Sequence, residues 1–80
     1  RYILMYGIIK KSKVMLRLHE RNQNHTEFAK SVGITLSYFS RIYNGEKASY
    51  SAAEKIADAL GGNIEDYFKL YINEREIAFV

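Results

Sequence analysis

Residues 24–45 read Asn24-His-Thr-Glu-Phe-Ala-Lys-Ser-Val-Gly33-Ile-Thr-Leu36-Ser-Tyr-Phe-Ser-Arg-Ile-Tyr-Asn-Gly45, and this stretch decides the fold. Asn24 follows the polar break Asn22-Gln23 and is a good N-cap, because its side-chain oxygen can accept an orphan backbone N–H. Phe28, Ala29 and Val32 then recur at i, i+1 and i+4, one apolar stripe of a short helix ending at Val32. Gly33 follows at once, as expected where the chain leaves a helix through the left-handed region. Thr35 is the next N-cap. Phe39 and Ile42, spaced i and i+3, face inward, with Ser37, Ser40 and Arg41 on the other side. Asn44-Gly45 is a turn signal and closes this second helix, Leu36–Asn44. Two short helices are thus joined by only Gly33-Ile34-Thr35.

Working outward, Ser49 or Ser51 caps a further helix, in which Ala53, Ile56, Ala57 and Leu60 fall at i, i+3, i+4 and i+7. Gly61-Gly62 stops it. Asn63 caps a last helix with Glu65 and Asp66 in its first turn, where the helix dipole favours acids, and Ile64, Tyr67 and Phe68 as its apolar face. Upstream, Ser12–Arg21 reads as a first helix anchored by Val14, Met15 and Leu18, with Met15 and Leu16 competing for the core. Proline is absent throughout, which suits a helical chain. The expected fold is all-α, a compact bundle of about five short helices. Its close pair is a helix-turn-helix, an arrangement whose second helix is presented to the DNA major groove. Residues 1–11 are expected to be an N-terminal extension, 12–70 the domain and 71–80 a C-terminal extension. Tyr2–Tyr6 and Ile77–Val80 are rich in β-formers; they pair as strands, extend helices or mediate self-association. The chain begins at Arg1 rather than methionine, so it is expected to be part of a longer or processed chain, with Met5 a candidate start.

Length and charge bound the function. Eighty residues suit one small domain, with little room for an elaborate cleft. Cysteine is absent, so there is no disulfide framework and no thiolate zinc site. No apolar run reaches the roughly 18 residues of a membrane span. The net charge of +3 divides into +6 over residues 1–47 and −3 over residues 48–80. A basic half that holds the close helix pair points to a polyanion partner. His19 and His25 have no carboxylates at metal-ligand spacing. There is no glycine-rich phosphate loop and no nucleophile elbow. An enzyme, a metal site and a cofactor are therefore not expected.

The run His25–Gly45 resembles the lambda-repressor-like helix-turn-helix domains of Cro/CI and XRE-type regulators. Ala29 matches the family's small residue in mid-helix, Gly33 its turn glycine, Ile34 the hydrophobe after it, and Asn44-Gly45 its closing pair. Lys55–Gly61 and Ile64–Phe68 resemble the fourth and fifth helices, so the likeness covers roughly residues 12–70. It implies a sequence-specific DNA-binding transcriptional regulator, a repressor from a phage or mobile element. Such a protein acts in the cytoplasm of a bacterial or phage-infected cell, as a homodimer on a palindromic operator of double-stranded DNA. Leu36, Ser37, Tyr38, Ser40 and Arg41 are then the recognition-helix residues at base edges, Arg41 with the fork that matches guanine. Asn44 and Lys47, with Asn24 and Tyr43, sit at the motif's edges, where phosphates are met. His25 stands where relatives often place a glutamine that grips a phosphate, which implies a pH dependence of binding. Leu36 departs from the polar residue many relatives carry. By the same likeness the dimer surface involves Tyr67, Leu70, Tyr71 and Ile72. The alternative is a protein-interaction module such as an antitoxin, or the DNA-targeting domain of a larger protein, favoured by the apolar ends and Leu36. The expected core is Phe28, Val32, Ile34, Phe39 and Ile42 with Leu18, Ile56, Leu60, Ile64 and Phe68.

Overall fold

The computed structural model describes residues 4–77. In chain order they form β1 (Met5–Ile9), α1 (Lys11–Glu20), α2 (His25–Val32), α3 (Leu36–Tyr43), β2 (Ala48–Ser49), α4 (Tyr50–Ala59), α5 (Ile64–Tyr67), β3 (Phe68–Ile72) and β4 (Arg75–Glu76). The helix ends follow local chemistry. The Asn24 side chain accepts from the Glu27 N–H at 2.7 Å while the Glu27 carboxylate accepts from the Asn24 N–H at 3.1 Å, a reciprocal capping box. Thr35 Oγ1 accepts from the Tyr38 N–H at 3.0 Å, and Ser49 Oγ from the Ala52 N–H at 3.2 Å. Gly33 has φ +89°, and beyond it the Ile34 N–H donates back to the Ala29 carbonyl at 3.1 Å. α3 ends the same way: Gly45 has φ +106° and the Glu46 N–H donates to the Arg41 carbonyl at 3.0 Å.

Phe28, Phe39, Ile42, Ile56, Leu60, Phe68 and Val14 are the large side chains withdrawn from solvent, joined by Leu18. Val32, Ile34 and Ile64 are half-buried against them. Ala29 is buried at the contact of α2 with α3, where a larger side chain would push the helices apart. Met15 and Leu16, expected to compete for this core, lie outside it at 53 % and 59 % exposure. Val14 and Leu18, one turn apart, take the inward face instead, and the residues between them are rotated off it.

The fold is not all-α. A four-stranded antiparallel sheet runs in the order β2-β1-β3-β4. β1 pairs with β3 along its whole length, from Met5↔Ile72 to Ile9↔Phe68, and with β2 at Tyr6↔Ser49 and Gly7↔Ala48. Met5, Gly7 and Ile9 share one face with Phe68 and Leu70, and α4 packs there. Gly7 permits the close approach: a Cβ on it would lie 3.1 Å from the Phe68 ring and 3.3 Å from Ala53 Cβ. Phe68, expected on the last helix, leaves it in an extended conformation and starts β3. Residues 5–9, expected in an extension, are thus a central strand. Of the proposed dimer residues, Leu70 is spent in the chain's own core at 2 % exposure, and Tyr71 stacks on Tyr6 with ring centroids 5.1 Å apart. Met5 and Tyr6 settle one of the options for the ends, strand pairing; Tyr2, Ile3 and Ala78–Val80 lie outside the described residues. Ile77 follows β4, its N–H donating to the Leu70 carbonyl at 2.7 Å.

Candidate nucleic-acid interface

Phe39, Ile42 and Tyr43 anchor α3 in the core. Helical geometry then turns Leu36, Ser37, Ser40, Arg41 and Asn44, at i, i+1, i+4, i+5 and i+8, to the opposite side. Leu36 is 42 % exposed; Ser37, Arg41 and Asn44 are exposed, and Ser40 and Tyr38 half-buried. The structure therefore gathers six of the eight expected contact residues on or beside one stripe, along the length of a helix capped by Thr35.

Two of these side chains are held in place. Arg41 Nε lies 3.7 Å from Glu46 Oε2, and its guanidinium carbon is 5.8 Å from the Tyr38 ring centre. Asn44 donates through Nδ2 to the Ser40 carbonyl at 2.9 Å and accepts from Lys11 Nζ at 3.3 Å. That ammonium also sits 4.9 Å over the Tyr43 ring. His25 is half-buried and meets the rings of Tyr43 and Phe39 edge-on at 4.5 and 5.3 Å. The start of α2 is thus braced against α3 through an aromatic cluster. Tyr43, expected among the edge residues, is only 8 % exposed and belongs to that cluster, packed against His25 and Phe39.

Lys47 has a different setting. Its partners lie on the turn between β3 and β4 and on β1 rather than on α3: Glu74 Oε1 at 3.4 Å and the Tyr6 ring at 4.5 Å. Glu74 Oε2 accepts from the Tyr6 hydroxyl at 2.8 Å. The Tyr6 hydrogen bond, then the bond and charge of Lys47, hold the Glu74 carboxyl below its ordinary value of 4.5. The same hydrogen bond, then burial, raises Tyr6 above 10.0. Glu74 occupies this place from a left-handed backbone at φ +71°, next to Asn73 at φ +50°.

A family model described as Cro/C1-type HTH DNA-binding domain matches residues 13–71. The chain belongs to this family. No curated protein and no solved structure matches it significantly. In this Cro/C1-type domain, α2 and α3 are the helix-turn-helix of a DNA-binding regulator. The matched span runs from α1 to Tyr71 in β3; β1 and β4 fall outside it. Sequence reasoning missed Lys11, Glu46 and Tyr6 at this surface. Lys11 carried no signal beyond its charge, since its contacts with Asn44 and Tyr43 exist only once α1 lies beside α3. Glu46 did carry one: it directly follows the turn glycine that closes α3. Among the described residues, no group of three His, Cys, Asp or Glu could hold a metal ion, and no helix is long and apolar enough to cross a membrane.

Proposed function

We propose that this Cro/C1-type domain is a sequence-specific transcriptional regulator that reads the major groove with α3. The observation that carries the reading is the stripe Leu36, Ser37, Ser40, Arg41 and Asn44, polar but for Leu36. It faces outward along a helix whose other face is locked by Phe39 and Ile42, with only Ser40 half-buried. Arg41 supplies the fork for a guanine, Ser37 and Tyr38 lie beside it, and Leu36 meets a thymine methyl. Asn44, His25 and Lys47 lie at the edges, where phosphates pass. A single module offers a small interface, so the regulator works as a homodimer on a palindromic operator, with half-sites about one helical turn apart. A repressor of a phage or mobile element, acting in the cytoplasm, is the role in keeping with such a compact reader.

In-vitro selection from a random DNA pool tests this directly: a palindromic consensus is expected. If each protomer meets three or four phosphates, the log–log salt slope is about −5 to −7. A slope near zero would sink the proposal. A second reading, capture of a protein partner as an antitoxin would do, is favoured by the exposure of Leu36. Arg41→Glu separates the two, since it abolishes DNA binding in the first and leaves partner capture intact in the second.

A further inference from the structure

We propose that Glu46 is a specificity-determining positioning residue, which grips Arg41 by its Nε edge and leaves the two Nη groups free to read a guanine. The inference rests on the reading of α3 as the DNA reader and adds the residue that orients Arg41 toward its guanine. The pairing is templated by the backbone. Gly45, at φ +106°, turns the chain back so that the Glu46 N–H donates to the Arg41 carbonyl at 3.0 Å. The two residues are therefore held side by side before their side chains meet. Glu46 Oε2 then lies 3.7 Å from Arg41 Nε, while the Tyr38 ring stands 5.8 Å from the guanidinium carbon.

The choice of atom matters. A guanidinium carries five N–H donors, one on Nε and four on the Nη atoms. Guanine presents O6 and N7 side by side in the major groove and takes two parallel donors. The carboxylate pairs with the guanidinium from the Nε side as an ion pair at 3.7 Å, which leaves the Nη pair available for that approach and narrows the rotations of a long side chain, so less freedom is lost on binding. The pair is 60 % and 62 % exposed, where an ion pair contributes little to stability. The Glu46 charge also repels DNA phosphates whatever the sequence, so it lowers the sequence-independent part of binding while the guanine contact is kept. Glu46 thus favours the matched site and disfavours random DNA.

The test uses the whole chain. Selection on the wild type first locates the guanine; duplexes with G·C or A·T at that position, and a random duplex, are then titrated at fixed salt. Glu46→Gln is expected to lower the preference for G·C by about 3- to 10-fold, the range that ordering one such side chain supplies. Its affinity for the random duplex is expected to be unchanged or higher. In an Arg41→Ala background the same substitution is expected to leave base preference unaltered. A purely structural role would lower the melting temperature and weaken all duplexes alike, which overturns the proposal. So does a full G·C preference in Glu46→Gln, or an equal loss in the Arg41→Ala background. Should Arg41→Ala keep the preference, or the wild type show none, the reading of α3 fails and this proposal with it.

Discussion

Removing residues 1–9 deletes β1, the strand between β2 and β3. Tyr6 and Ile9 are 7 % and 8 % exposed, so losing their burial costs about 3–6 kcal/mol at 1.5–3 kcal/mol per large side chain. Phe68 and Leu70, at 1 % and 2 % exposure on the same face, lose part of their cover, which adds about 2 kcal/mol. The β3 backbone also loses its ladder partners. The total, roughly 5–8 kcal/mol, compares with about 4–12 kcal/mol for a domain of this length at 0.05–0.15 kcal/mol per residue. The truncated chain is expected to be largely unfolded at room temperature, measured by far-UV circular dichroism during thermal and urea unfolding. A cooperative transition within a few degrees of the full chain, with unchanged urea dependence, would refute the reasoning and make β1 a dispensable addition. Gly7→Val makes the same test with the chain intact. Its Cβ alone would stand 3.1 Å from the Phe68 ring and 3.3 Å from Ala53 Cβ, both in the buried core. Overpacking of about 1–3 kcal/mol exceeds the gain from valine's strand propensity, so the midpoint falls by roughly 5–15 °C. A midpoint equal to or above that of the wild type would show that α4 moves away freely.

Further outcomes follow from single contacts. Gly33→Ala is expected to cost about 1–2 kcal/mol, because nothing lies within 4 Å of the added Cβ and the φ of +89° alone opposes it; urea denaturation measures this. Arg41→Ala is expected to weaken binding to the selected operator by about 1–3 kcal/mol with unchanged melting, read by fluorescence anisotropy beside a thermal scan; equal affinity would remove Arg41 from the interface. Glu74 has a folded pKa below its ordinary 4.5, so its contribution to stability is present above that pH and is lost as pH falls through the lower folded value. The melting-temperature gap between wild type and Glu74→Gln is therefore expected to close on acidification below about pH 4.5, and a gap independent of pH would count against the Tyr6–Glu74–Lys47 contact.

The helices were legible because their punctuation is local. Asn24 and Glu27 meet across three residues, Thr35 meets the Tyr38 N–H across three, and Gly33 closes α2 through an N–H five residues beyond its acceptor. Each such signal lies within one or two turns of the chain. The outward stripe on α3 was legible for the same reason, since helical periodicity alone separates Ser37, Ser40 and Arg41 from Phe39 and Ile42. Met15 and Leu16 were not, because both are apolar and the choice between them and Val14 depends on where the other helices lie.

By itself, then, the sequence determined the helix-turn-helix, its caps and the residues its second helix turns outward, because those features are set by neighbours three to five positions away. Only the tertiary structure decided the sheet. Met5 pairs with Ile72 and Ile9 with Phe68, partners about sixty residues apart, and no local pattern records such a pairing. Gly7, a poor strand former read alone, belongs in β1 because Phe68 and Ala53 close over it. The tertiary structure likewise decided which partners the lysines near α3 and the sheet take. Lys11 meets Asn44 across thirty-three residues and Lys47 meets Glu74 across twenty-seven, so these contacts arise from how the elements pack and not from where they stand in the chain.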